Sequence, residues 1–212
     1  ASDVYKRQIM FIAICLSTVF TVEHTRKTDQ LILCSRFGKK KLYIAKLMAG
    51  ITVSIAFTLI LSLLTFGIIA FLYGFDGYST ILQFILMRPF DITIGQAVMI
   101  LIGLSFVGAI LVSVLTMVLS ELTKNSIATI GVISGVLILT MFILEMPSNL
   151  KILSEIWYLL PSNLISLNGA FRYSLFNFIP SYQLAPIIYL VITIVLLVIG
   201  KISYNRYQIS SR

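Results

Sequence analysis

LMAGITVSIAFTLILSLLTFGIIAFLY, residues 47–73, decides the fold of this chain. Its only titratable side chain is the terminal Tyr73, and Lys46 stands immediately before it. A helix needs about 20 apolar residues to cross a bilayer. This run therefore spans with length to spare, and Lys46 can snorkel its ammonium to the headgroups. Residues 97–119 carry no charge and read the same way. So do residues 126–144, closed by Glu145, and residues 186–203, where Lys201 marks the expected exit from the membrane. That makes four complete spans.

Composition agrees. The chain is 58% hydrophobic and 11% charged, with a mean hydropathy of +1.01. A soluble domain carries about 45–50% apolar and about 25% charged residues. The net charge of +8 does not point to nucleic acid. A nucleic-acid-binding face needs its cations on one surface with aromatics interleaved, whereas here they sit at the ends of apolar runs. Cys15 and Cys34 are too few for a disulfide framework, and they read as two unrelated thiols at different depths. His24 is the sole histidine, so neither a histidine-based metal site nor a Ser-His-Asp triad can be assembled. No catalytic residue, metal or cofactor is expected.

The first apolar run, residues 9–22, has fourteen residues and is short for a span. No small-residue cleavage site follows it, as a signal peptide would require. Residues 1–8, ASDVYKRQ, are expected to be a non-native addition, and residues 9–22 the surviving part of a longer helix. Orientation follows from charge. Residues 23–46, 120–125 and the tail from Lys201 carry eleven Lys and Arg. The opposite side, residues 74–96 and 145–185, carries three: Arg88, Lys151 and Arg172. The positive-inside rule places the first set in the cytoplasm and leaves Lys6 and Arg7 on the disfavoured side.

The five prolines, at positions 89, 147, 161, 180 and 186, fall outside the expected span interiors. No broken helix of the kind that holds ions in secondary transporters is foreseen. Nor does any expected span hold an interior acid or base, which argues against a proton- or sodium-coupled carrier. In the outer segment, residues 145–185, Leu150, Leu153, Trp157 and Leu160 recur at helical spacing. Tyr158, Phe171, Tyr173, Phe176, Phe178 and Tyr182 add an aromatic belt. This segment reads as two short helices in the outer interface, joined near Pro161 and Ser162.

Smaller features carry less. Gly131 and Gly135 form a GxxxG pair, a pattern that can mark a close helix crossing and also arises by chance. Ala109 and Ser113 carry the same two readings. Glu121 and Lys124 read equally as partner contacts or as a solvated turn between two helices. The glycine in SRFGKKK lacks Walker-type spacing, so this chain is not expected to bind ATP.

The largest polar surface is the loop EHTRKTDQLILCSRFGKKKLYIAK, residues 23–46, with seven of the sixteen Lys and Arg. Leu31, Ile32 and Leu33 form an apolar cluster inside it, and Gly38 separates them from Lys39, Lys40 and Lys41. A short amphipathic helix, a glycine break and a helix entering the membrane fit this order. The lysine triplet suits anionic lipid headgroups. The apolar cluster suits docking on a protein.

With these residues in view, the chain resembles the permease subunits of ABC-2-type ABC transporters. The likeness rests on Glu23 closing one span, the Leu31–Leu33 triplet, Ser35-Arg36-Phe37-Gly38-Lys39, and Ala45-Lys46-Leu47 opening the next span. Leu160-Pro161-Ser162 and the tail Asn205-Arg206-Tyr207-Gln208 fit as well, so it extends over residues 9–212. One departure is that Glu23 is followed by His24-Thr25-Arg26, where many members carry glycine.

The resemblance implies an all-α polytopic bundle with six membrane helices in the full-length protein, one partial and four complete here. It also implies an outer membrane-dipping helical hairpin before the last span. It further implies a coupling helix at residues 28–36 that docks on a separate ATPase subunit. Leu31, Leu33 and Cys34 would then fill the groove, with Glu23, Arg26, Lys27 and Arg36 around it. An ATP-driven exporter acting as a homodimer, or as a heterodimer with a second permease, is the function it implies. The alternative is a non-transporting membrane scaffold or sensor that uses the same loop.

Overall fold

The computed structural model describes residues 2–25, 41–74, 78–81, 91–143, 151–173 and 179–210. The architecture is all-helical. The helices, in chain order, are α1 (Ser2–Thr25), α2 (Lys41–Tyr73), α3 (Ile94–Thr123), α4 (Ser126–Phe142), α5 (Lys151–Tyr158), α6 (Pro161–Leu164), α7 (Leu167–Ala170) and α8 (Ser181–Ser210). Beyond the helices, the described residues form two isolated antiparallel bridges, Ile81 with Thr93 and Tyr173 with Pro180.

Among the described residues, four helices are long and apolar enough to cross a membrane: Val4–Glu23, Lys41–Leu72, Ile94–Thr123 and Ser181–Tyr204. This set differs from the expected one at two places. α1 runs unbroken from Ser2, so residues 9–22 lie within a helix of 24 residues. Gln8, where the apolar run breaks off, is buried, and its amide donates to Thr58 Oγ1 at 2.6 Å. A polar residue inside a helix bundle is tolerated when its partner is fixed in this way. Conversely, residues 126–144 yield a helix of 17 residues, at the lower limit for a span. It ends at Phe142, where Ile143 leaves helical geometry.

α3 is the axis of the bundle. It packs against α1, α2, α4 and α8, and small residues permit the approach: Ser105, Gly108, Ala109 and Ser113 are all buried. Ala109 and Ser113 thus serve core packing. α3 begins at a capping box, in which Thr93 and Gln96 exchange side-chain and backbone bonds, satisfying N–H groups that a helix start leaves orphaned. α3 and α4 are joined by two residues. Lys124 is left-handed at φ 53°, and Asn125 caps α4 by accepting from the Ile127 N–H.

Two apolar clusters fill the bundle. One joins Leu16 and Phe20 of α1, Tyr43 and Leu47 of α2, Met117 of α3, Leu137 of α4 and Tyr204 of α8. The other joins Ala97 and Leu104 of α3, Leu164 of α6, Ala170 of α7, Phe171 just after it, and Ala185 and Tyr189 of α8. α2 lies outermost. It packs on α1 and α3 and turns Leu63, Leu64, Ile68 and Phe71 outward.

Among the described residues, the segment before α8 forms three short helices, α5, α6 and α7, where two are expected. In α5 the polarity is inverted relative to a water-facing helix: Ile152, Leu153 and Ile156 are exposed while Ser154 is buried. An apolar exterior is what a hydrocarbon environment selects. Arg172 stacks over Tyr158, 4.1 Å from the ring centroid, and lies 3.7 Å from Glu155. Helix α8 begins at Ser181, so Pro186 lies inside it rather than at its start. Lacking an N–H, Pro186 leaves the Tyr182 carbonyl without its helical donor. The same helix continues past Lys201 to Ser210. Leu150, Phe176 and Phe178 lie outside the described residues.

Candidate functional site

The site is built where the two ends of the basic loop meet. Glu23 lies in the last turn of α1, and Lys46 lies in the second turn of α2. Lys46 Nζ is 2.6 Å from Glu23 Oε1, so an ion pair closes the segment 26–40 at its base. Each partner sits one helical turn from an aromatic residue, Phe20 before Glu23 and Tyr43 before Lys46. Residues three apart share a helix face, so the four side chains converge. The Lys46 ammonium lies 4.8 Å from the Phe20 ring centroid, where the ring quadrupole adds to the attraction.

Two more helices complete the cluster. From α8, Tyr204 stacks at a tilt on Tyr43, with centroids 5.0 Å apart, and meets Phe20 edge-on at 6.4 Å. Gly200, one turn earlier, has no room for a side chain. A Cβ there would collide with Tyr43 Oη and sit 2.9 Å from Val118 Cγ2. From α3, Ser120 Oγ donates to the Ser17 carbonyl at 2.7 Å. Next to it, Glu121 is buried at 2% exposure. It is not part of a solvated turn, because α3 continues past it to Thr123. Its carboxylate feels the charges of Lys124, Lys46 and Glu23.

Side-chain exposures of 15% for Lys46 and 20% for Glu23 put the pair in a low-dielectric setting, where opposite charges attract far more strongly than in water. Separating such a pair leaves a charge stranded, at a cost of several kcal/mol. The arrangement is a clamp. Among the described residues, no group of three or more His, Cys, Asp or Glu is placed to hold a metal ion.

Of the residues singled out from the sequence, Glu23 is in this cluster, and Lys41 is the exposed first residue of α2. Arg26, Lys27, Leu31, Leu33, Cys34, Arg36, Lys39 and Lys40 lie outside the described residues. Gly131 and Gly135 support no close crossing among the described residues, since a Cβ at either would meet nothing within 4 Å. Phe20, Tyr43 and Tyr204 are not singled out by the sequence, and Glu121 only as a contact or turn residue. The signal for the first two was the three-residue spacing to Glu23 and to Lys46.

No protein-family model matches the chain, and no curated protein or solved structure is detectably similar to it.

Proposed function

We propose that the chain is the membrane subunit of an ATP-driven ABC exporter of the ABC-2 type, coupled through the segment 26–40 to a separate ATPase subunit. The observation that carries this reading is the ion pair between Glu23 and Lys46. It binds both ends of the most basic segment of the chain to α1 and α2, and through the neighbouring Ser120 and Tyr204 the segment is tied to α3 and α8. A load applied to the segment by a soluble partner would therefore reach four helices at once.

Further support comes from the segment before α8. Ile165 and Pro161 approach Gly108, to within 3.4 and 3.7 Å of where its Cβ would stand. Gly108 lies fourteen residues into α3, about 21 Å along its axis at 1.5 Å per residue. Short helices reaching that depth suit a membrane-dipping hairpin. In this reading the segment 26–40 and the C-terminus are cytoplasmic in the cell membrane, and the permease works as a dimer.

The test is co-purification with an ATPase carrying a Walker A sequence, encoded beside this chain. Leu31→Asp abolishes the pull-down while membrane insertion is unchanged. Pull-down that survives Leu31→Asp rejects the docking site. If no such ATPase accompanies the chain and its behaviour is independent of ATP, the scaffold reading replaces the exporter.

A further inference from the structure

A cavity of about 340 Å³ lies between α3, α4, α8 and the short helices. Its size falls in the range of small-ligand sites, about 300–1,000 Å³. Its walls include Leu115 and Leu119 of α3, Val136 of α4, Leu160 before α6, and Ile188 and Ile192 of α8. The lining carries no ionisable group apart from Tyr189, whose hydroxyl is occupied, donating to the Leu159 carbonyl at 2.6 Å. The cavity arises because α4 and α8 both pack on α3 and scarcely on each other. At its mouth Val132, Val136 and Ile192 are wall residues and exposed residues at once.

Water has little reason to enter. An ordered water needs two to four polar partners, and Ser162 is the one polar side chain of the wall besides Tyr189. Leaving the space empty is also unfavourable, because each wall atom then forfeits its dispersion contacts. Four helices place this chain in a bilayer, so the medium at the mouth is hydrocarbon. One turn of a helix, about 10–12 Å across and 5.4 Å long, displaces more than the cavity's 340 Å³, whereas a slender methylene chain can lie along it.

We propose that this cavity seats one acyl chain of a bilayer phospholipid, which fills the wedge between α4 and α8 and holds the short helices against α3. The inference needs only the membrane setting and stands whether or not the chain works with an ATPase. The full chain, reconstituted in phosphatidylcholine vesicles and re-extracted in detergent, retains a single phospholipid in native mass spectrometry. Val136→Trp, which fills the mouth from an exposed position, lowers the retained fraction about tenfold, equivalent to about 1.4 kcal/mol. Leu63→Trp on the outward face of α2 leaves it unchanged.

A second measurement uses the unaltered protein and a phosphatidylcholine with a photoreactive acyl chain. Crosslinks concentrate on peptides containing Val132, Val136 and Leu160 over those containing Leu63, Leu64 and Ile68. Wild-type protein that retains no lipid, or equal crosslinking of the two sets, overturns the proposal. So does a Val136→Trp variant that keeps its lipid but loses self-association, which would make the occupant a second copy.

Discussion

Ser120 Oγ reaches across to the main-chain carbonyl of Ser17 at 2.7 Å, pinning the end of α3 to α1. The same carbonyl also accepts from Thr21 Oγ1 at 3.1 Å. Ser120→Ala therefore removes a donor without orphaning the acceptor, and it costs about 1 kcal/mol, a typical net hydrogen-bond contribution. Ser120→Leu forces volume into a site with no exposure and costs about 1–3 kcal/mol. Denaturant titration in detergent micelles, with helicity as the readout, distinguishes the two variants.

The clamp predicts an asymmetry. Lys46→Met strands Glu23 and also withdraws a cation from buried Glu121, so it destabilises by about 3–5 kcal/mol. Glu23→Gln leaves Lys46 with Glu121 nearby and costs less. The double variant costs less than the sum, with a coupling of about 1–3 kcal/mol. Additive losses would mean that the pair contributes nothing. The same titration reads all three variants.

Lys124 occupies the left-handed region at φ 53°, which costs a side chain with a Cβ about 1–2 kcal/mol. Lys124→Gly is expected to recover most of that and raise stability. Asn125→Ala, by losing the cap on α4, lowers it by about 1 kcal/mol. A rise for the second variant would mean that the turn is not held by these caps.

The glycines separate into two kinds. Gly200→Val drives a side chain into Tyr43 and Val118 and destabilises by about 1–3 kcal/mol. Gly131→Leu and Gly135→Leu meet open space within the described chain and leave its stability within about 0.5 kcal/mol. A shift in oligomeric state for the latter two, seen by light scattering, would assign the pair to contact between chains.

Orientation can be read with the two native thiols. Cys15 is exposed on α1, so a Cys15→Ser background leaves Cys34 as the sole target. An impermeant maleimide is expected to label Cys34 only after the membrane is opened. Labelling of intact cells would reverse the assigned topology.

How far the sequence carried depended on the kind of signal. Residues 47–73 and 97–119 were legible because an uninterrupted apolar run has one stable solution in a bilayer. The start of α1 was not, because Gln8 breaks the run while its amide finds Thr58, a partner fifty residues away. The end of α4 at Phe142 is not marked in the sequence, because the apolar run continues to Leu144. Glu121 was misjudged because burial of a turn-adjacent acid depends on neighbouring helices, whose Lys46 and Tyr43 are distant in sequence. In the clamp, Glu23 stood out as an acid closing a span. Tyr204 could not, since tertiary packing alone brings it to Tyr43.

Because α1, α2, α4 and α8 all lean on α3, a bundle without it keeps α1 against α2 and α4 but leaves α8 without its main partner. A chain severed between Ile81 and Asp91 would leave α1 and α2 on one fragment and their binding face on the other. The two pieces, expressed together, should find each other in the bilayer and rebuild the bundle. A fragment ending before α3 should be degraded when made alone.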